Sequence, residues 1–188
     1  YYCNMGNTKR VIFLQSAHIS TDERVLFHQA KALKSVGYQV DIYGKEVFND
    51  FQFQTADIYV VDTPRALWKV RRTTAKIVYD ITEWYPSKKN LRNVKIGKTI
   101  KAFLMIIASL WAGWRADAFI FGEKDKAKPF QFFFPNKKSI FLSYYPDLEY
   151  INSNGMREID SELRVLYAGP LTKEKGWERV VETMCGIA

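Results

Sequence analysis

Short apolar runs alternate along this chain with longer stretches of three- and four-residue periodicity, and that alternation leaves few folds open. Arg10-Val-Ile-Phe-Leu-Gln15 is β-branched and aromatic and stops at polar residues, the form taken by a parallel strand buried on both faces. From Thr21 to Val36 the apolar residues Val25, Leu26, Ala30, Leu33 and Val36 recur at helical steps, and Gly37 supplies a C-terminal stop. Further strands are predicted at Tyr38–Tyr43, Asp57–Val61, Lys76–Tyr79, Ala118–Phe121 and Ser139–Leu142, with helices at about 64–73, 97–115 and 123–134 separating the later ones. Strands and helices in this order predict βαβ units with right-handed crossovers, hence an α/β chain built on a Rossmann-like, doubly wound parallel sheet.

A length of 188 residues suits one full core and leaves little room for a second. The polar stretch Tyr150 to Glu162, with Asn152, Ser153, Asn154 and Gly155, has linker composition. The expected organisation is therefore a domain over 1–149, a linker over 150–162 and the start of a second domain over 163–188. There Leu163 to Ala168 reads as a strand, Gly169 to Gly176 as a loop and Trp177 onward as a helix. The chain opens without an initiator Met and stops inside that helix, so both ends read as cut, with Met5 as a natural start otherwise.

An excess of 28 Lys and Arg over 20 Asp and Glu, a net charge of +8, favours anionic partners without choosing among them. No recognition-helix or RNA-platform motif is present, so nucleic acid is not expected as a partner. Cys3 and Cys185 stand near opposite ends and match no metal spacing, which points to a reducing, cytoplasmic setting. No metal site is expected.

In an open parallel sheet the residues just after the strands are the ones to inspect. After the first strand, Ser16-Ala-His-Ile-Ser-Thr-Asp-Glu-Arg-Val25 contains no Gly-x-Gly-x-x-Gly, which argues against a nicotinamide enzyme. Ser20 and Glu23 have capping-box spacing. Asp22 and Arg24 can also face the cleft, Arg24 offering a bidentate fork to a phosphate or carboxylate. His18 is a candidate acid or base, or a structural loop histidine. After the fourth strand, Tyr79-Asp-Ile-Thr-Glu-Trp-Tyr-Pro86 places Asp80 and Glu83 at a strand end, where ionised carboxylates can orient sugar hydroxyls or act as caps and ion pairs. Near the far end, Val165-Leu-Tyr-Ala-Gly-Pro-Leu-Thr-Lys-Glu-Lys-Gly176 runs from a strand through a glycine loop into a helix, an arrangement that receives a diphosphate, with Lys175 as a point charge.

Taken in order, Thr21-Asp-Glu-Arg-Val25, Ala56-Asp-Ile-Tyr-Val60, Val78-Tyr-Asp-Ile-Thr-Glu83, Leu166-Tyr-Ala-Gly169 and Glu174-Lys-Gly176 resemble the family 4-like glycosyltransferases of the GT-B fold, over about Arg10 to Gly186. The resemblance implies two Rossmann-like domains facing across a cleft, the first holding a glycan or lipid-linked acceptor and the second a nucleotide-diphosphate sugar. It implies transfer with retention, no required metal and no cofactor beyond the donor substrate. On the acceptor side it points to His18, Asp22, Arg24, Asp80, Thr82 and Glu83. For the donor diphosphate it points to Gly169, Lys175 and Gly176. Thr82 stands where the family signature carries a histidine, and Pro170 where it carries an arginine. The paired glutamates of such enzymes would fall beyond Ala188, so this portion alone is expected to be inactive. A non-catalytic module derived from such a domain, holding an acceptor or a partner protein, is the other reading.

Between Lys88 and Trp114 a basic stretch leads into Ala102-Phe-Leu-Met-Ile-Ile-Ala-Ser-Leu-Trp-Ala-Gly-Trp114. The apolar part is too short to span a bilayer, which takes about 20 residues. It reads as a core helix apolar all round or as an interfacial helix with a basic shoulder, the core reading being preferred because the fold requires a helix there. Lys124, Lys126 and Lys128 followed by Phe130, Phe132, Phe133 and Phe134 extend the basic and aromatic character, so peripheral contact with anionic membrane through 88–134 is kept as an expectation.

Overall fold

A computed structural model of the chain describes residues 8–82, 91, 97–142, 178, 179, 181, 182 and 185. The chain divides into two compact units, Tyr1–Ile151 and Asn152–Ala188. The first contains six strands: β1 (Arg10–Leu14), β2 (Gln39–Tyr43), β3 (Ile58–Val61), β4 (Lys76–Ile81), β5 (Ala118–Phe121) and β6 (Lys138–Phe141). They form one all-parallel sheet in the order β2-β1-β3-β4-β5-β6, flanked by helices in the Rossmann-like manner. Helix α1 runs from a π-wound part, Arg24–Ala30, into an α-helical part, Lys31–Ser35; α2 is Pro64–Lys69, α3 Lys98–Arg115 and α4 Lys124–Phe133.

Alternation along the strands sorts the core into two layers, because successive side chains point to opposite faces of a sheet. Ile12, Leu14, Tyr59, Val61, Ile77, Tyr79, Ile81, Phe119 and Phe121 share one layer with Leu67 of α2, Ala112 of α3 and Phe130 of α4. Val11, Phe13, Val40, Val60 and Ile120 form the other with Val25 and Ala30 of α1. Strands β1, β3 and β5 are thus apolar on both sides, which is why their runs are continuous in sequence, while β2 carries Asp41 and β4 carries Asp80 on one side.

Helix ends follow local chemistry. Gly37 adopts a positive φ of 91° and ends α1, with Tyr38 N–H donating to Leu33 O at 3.1 Å. Thr63 caps α2 by accepting from Ala66 N–H at 3.1 Å, with Pro64 in the first turn. The carboxyl end of α3 is held by Lys137, whose ammonium donates to Gly113 O at 2.7 Å, Trp114 O at 2.6 Å and also Ala116 O. Burial draws that ammonium below the ordinary lysine range, opposed by nearby Asp117.

Three expectations change. The first helix begins at Arg24, and the Ser20–Glu23 capping box does not form: Ser20 N–H donates to Glu46 Oε1 at 2.9 Å, and Glu23 makes no side-chain cap bond. Helix α2 stops at Lys69, because residues 70–73 turn and carry Val70 into the core. Helix α3 is not a core helix apolar all round. It turns small residues inward, with Ser109, Ala112 and Gly113 buried, and leaves Ile100, Phe103, Leu104 and Ile107 exposed.

That small inward face permits close approach. A Cβ on Gly113 would overlap the ring of Phe134, so Gly113→Ala forces the ring or the helix to move. We expect this substitution to destabilise the chain by about 1–3 kcal/mol, the usual cost of overpacking, read as a lower urea midpoint with unchanged slope.

Candidate functional site

The carboxyl ends of β1, β3, β4 and β5 lie in sequence along one edge of the sheet, and the winding direction reverses between β1 and β3. That edge is where open parallel sheets bind ligands. The loop leaving β1 is fixed there by Asp62, at the end of β3, whose carboxylate accepts from Ser16 N–H at 2.9 Å and Ala17 N–H at 2.8 Å. The hydroxyls of Ser16 and Thr63 bond to one another and add a second tie. From the other side Lys45 N–H donates to His18 O at 2.7 Å. A Cβ on Gly44 would collide with the backbone nitrogen of Ser20, so only glycine lets the loop after β2 lie this close.

The anchored loop brings His18 to the end of β4. His18 Nδ1 lies 3.0 Å from Asp22 Oδ2, and His18 Nε2 lies 3.3 Å from Thr82 Oγ1. An ionised carboxylate only accepts, so a neutral imidazole in this arrangement carries its proton on Nδ1 and turns the Nε2 lone pair toward the Thr82 hydroxyl. Asp22, His18 and Thr82 form a carboxylate–imidazole–hydroxyl series, partly open to solvent, that can hold a ligand hydroxyl and accept its proton. Lys126 of α4 supplies a cation beside it, donating to Thr82 O at 2.5 Å and to Glu123 Oε1 at 3.0 Å.

Arg24 and Asp80 lie beneath this edge, not on it. Their side chains are each 2% exposed and form an ion pair. Gln29 Nε2 donates to the same carboxylate oxygen, Asp80 Oδ2, at 2.9 Å. The convergence depends on the π-wound turn. At 3.6 residues per turn, residues five apart lie about 140° from each other; bonds from i to i+5, such as Lys31 N–H to Leu26 O, bring them back into line. Arg24 and Gln29 therefore meet one carboxylate, and Val25 and Ala30, also five apart, enter one core layer. Burial pushes the Asp80 carboxyl above its usual range, against the opposing pull of Arg24 and Gln29.

Of the acceptor-side residues named from sequence, the fold brings His18, Asp22 and Thr82 together at the strand ends and places Arg24 and Asp80 as a buried support behind them. Glu83, Gly169, Lys175 and Gly176 lie outside the described residues. Sequence reasoning missed Asp62, Gln29 and Lys126 as parts of the site. Asp62 follows a predicted strand directly and was open to the same rule that found Asp80; Gln29 was hidden by its five-residue spacing. Among the described residues no cluster of His, Cys, Asp or Glu is arranged to hold a metal ion. Comparison with known proteins returns no matching family model, and no significant match to a curated protein or to a solved structure.

Two outcomes follow from the buried pair. Arg24→Met leaves Asp80 without its cation in the core and is expected to cost about 3–5 kcal/mol, whereas Arg24→Met combined with Asp80→Leu recovers most of the loss; urea titration of the three chains measures this. Because Asp80 binds its proton more tightly folded than unfolded, its contribution to stability is full below the unfolded value of about 3.9 and is lost as pH rises through the folded one. The fall in urea midpoint over that window is expected to disappear in Asp80→Asn.

Proposed function

We propose that this chain is the acceptor-side portion of a GT-B glycosyltransferase, transferring a sugar with retention from a nucleotide-diphosphate donor to a glycan or lipid-linked acceptor. The ordered motif resemblance supports the chemistry. The observation that carries the acceptor side is the Asp22–His18–Thr82 series at the strand ends, a set of acceptors and donors suited to sugar hydroxyls. In this reading Asp22 orients the imidazole, His18 Nε2 receives an acceptor hydroxyl, and Lys126 favours an anionic group on donor or acceptor. Arg24, Asp80 and Gln29 keep α1 and β4 in register beneath them. The donor diphosphate falls to Gly169, Lys175 and Gly176. The chain works in the cytoplasm, peripherally at the inner face of the cytoplasmic membrane, where a lipid-linked acceptor would be met.

A non-catalytic binding module is the second reading, favoured by Thr82 at the position where the family signature has histidine. The two separate on turnover. Protein expressed from the complete reading frame is assayed against a panel of nucleotide-diphosphate sugars with glycan and polyprenyl-phosphate-linked acceptors. Acceptor-dependent release of nucleoside diphosphate is expected, and His18→Ala is expected to lower kcat about a hundredfold, the usual scale for losing a positioned acid or base. Binding of acceptor with no turnover of any sugar nucleotide establishes the module and removes the transferase.

A further inference from the structure

Helices α2 and α3 lie side by side over the sheet and leave a groove between them. Pro64, Arg65 and Trp68 of α2 and Leu104, Ile107 and Trp111 of α3 line it. Leu104 and Ile107 are 59% and 48% exposed, and Trp68 is 56% exposed. The rings of Trp68 and Trp111 stand with centroids 5.4 Å apart, and Arg71 stacks over Trp68 at 4.2 Å. A helix that merely covers a sheet points its bulk inward; α3 buries Ser109, Ala112 and Gly113 instead and keeps its large side chains for the groove and the surface beside it. No described helix is long and apolar enough to cross a membrane.

Shape, backbone chemistry and charge each narrow the occupant. A groove between two helices is the form into which the side-chain ridge of a third packs, and one left unfilled forfeits the dispersion contacts of its walls. The peptide groups of α3 are bonded within the helix, so the groove offers no free N–H or C=O to an extended chain, and a partner entering it must satisfy its own backbone, as a helix does. Segments 64–73 and 98–115 contain Arg65, Lys69, Arg71, Arg72, Lys98, Lys101 and Arg115 and no Asp or Glu. Lys69, Arg71 and Arg115 donate to backbone carbonyls, and among the described residues none of the seven pairs with a carboxylate. We propose that the α2–α3 groove receives an amphipathic helix of another protein, its apolar ridge between Trp68 and the Leu104–Ile107 pair and its acidic residues against Arg65, Lys98 and Lys101. A second copy of this chain is a poorer occupant, because a two-fold contact sets the same cations against one another. This surface is separate from the Asp22–His18–Thr82 series, so the proposal stands under either reading of the strand-end site.

The test is fluorescence anisotropy of the 188-residue chain with a labelled peptide of about 18 residues, long enough to hold a helix, with Leu along one helical face and Glu on the rest. Binding is expected, and is expected to weaken as salt is raised. The same peptide with Lys for Glu should bind at least about tenfold more weakly, as should the Glu peptide broken by a central Pro. Leu104→Ser with Ile107→Ser should lower affinity for the Glu peptide about tenfold by removing apolar anchors. Lys98→Glu with Lys101→Glu should lower it similarly and raise affinity for the Lys peptide, a reversal that loss of fold cannot produce; circular dichroism checks both chains. No binding of the Glu peptide, equal binding of the Lys or Pro peptide, or unchanged binding by folded variants overturns the proposal. So does a dimer in sedimentation velocity that Leu104→Ser with Ile107→Ser converts to monomer. Co-sedimentation with phosphatidylglycerol vesicles that is lost in that same pair, and that the Glu peptide does not displace, assigns the groove to lipid and also overturns it.

Discussion

A carboxylate that loses its water must recover solvation from the protein, and around Asp80 that recovery is concentrated on one oxygen, Oδ2. Arg24 provides the charge and Gln29 a further donor, both from the same helix, while β4 provides the acceptor. A buried ion pair of this kind adds little net stability compared with a well-packed apolar substitute, yet it is costly to break. Its consequence is geometric: α1 must lie against β4 at one height and rotation, and the loop ahead of α1 is thereby held at the end of β4. Asp62 fixes the same loop from β3, so His18 is delivered from two sides.

The parallel sheet was legible because a strand covered on both faces has no polar side to interrupt it; Val11 to Leu14 and Ile58 to Val61 are apolar for that reason. Strand ends were legible too, and with them the placement of His18, Asp22 and Thr82, whereas Asp80, expected in the cleft, is buried beneath them. The winding of α1 was not. Apolar residues at Val25, Leu26, Ala30 and Leu33 fit a 3.6-residue period, and nothing in that pattern reveals that Val25 and Ala30 share a layer while Arg24 and Gln29 share a carboxylate. Tertiary demand from one buried charge set the winding, and such a demand is invisible to local periodicity.

Helix α3 shows a different limit. Its large apolar residues recur on one stripe, which periodicity alone would turn inward, and the structure turns that stripe out. Size decided it: Ser109, Ala112 and Gly113 let the backbone approach the sheet and the Phe134 ring, and bulkier neighbours were turned out. Close packing of the interior, more than hydrophobicity, selected the face. The exposed stripe is therefore the remainder left by a steric choice, which is why it gathers the largest side chains of the helix.

The π-wound turn makes the number of residues in α1, and not just their identity, part of the site. Removing one residue between Arg24 and Gln29 would turn the five-residue spacing into four, which ordinary winding already sets on one face, so both side chains would still meet the carboxylate and the Lys31–Ser35 end would keep its direction. Removing a second would swing everything beyond the cut by about 100° and carry Gln29 away. Helix α1 thus holds one residue more than ordinary winding needs. Chains related to this one by descent should therefore differ in the length of this helix by that single residue more readily than by any other number.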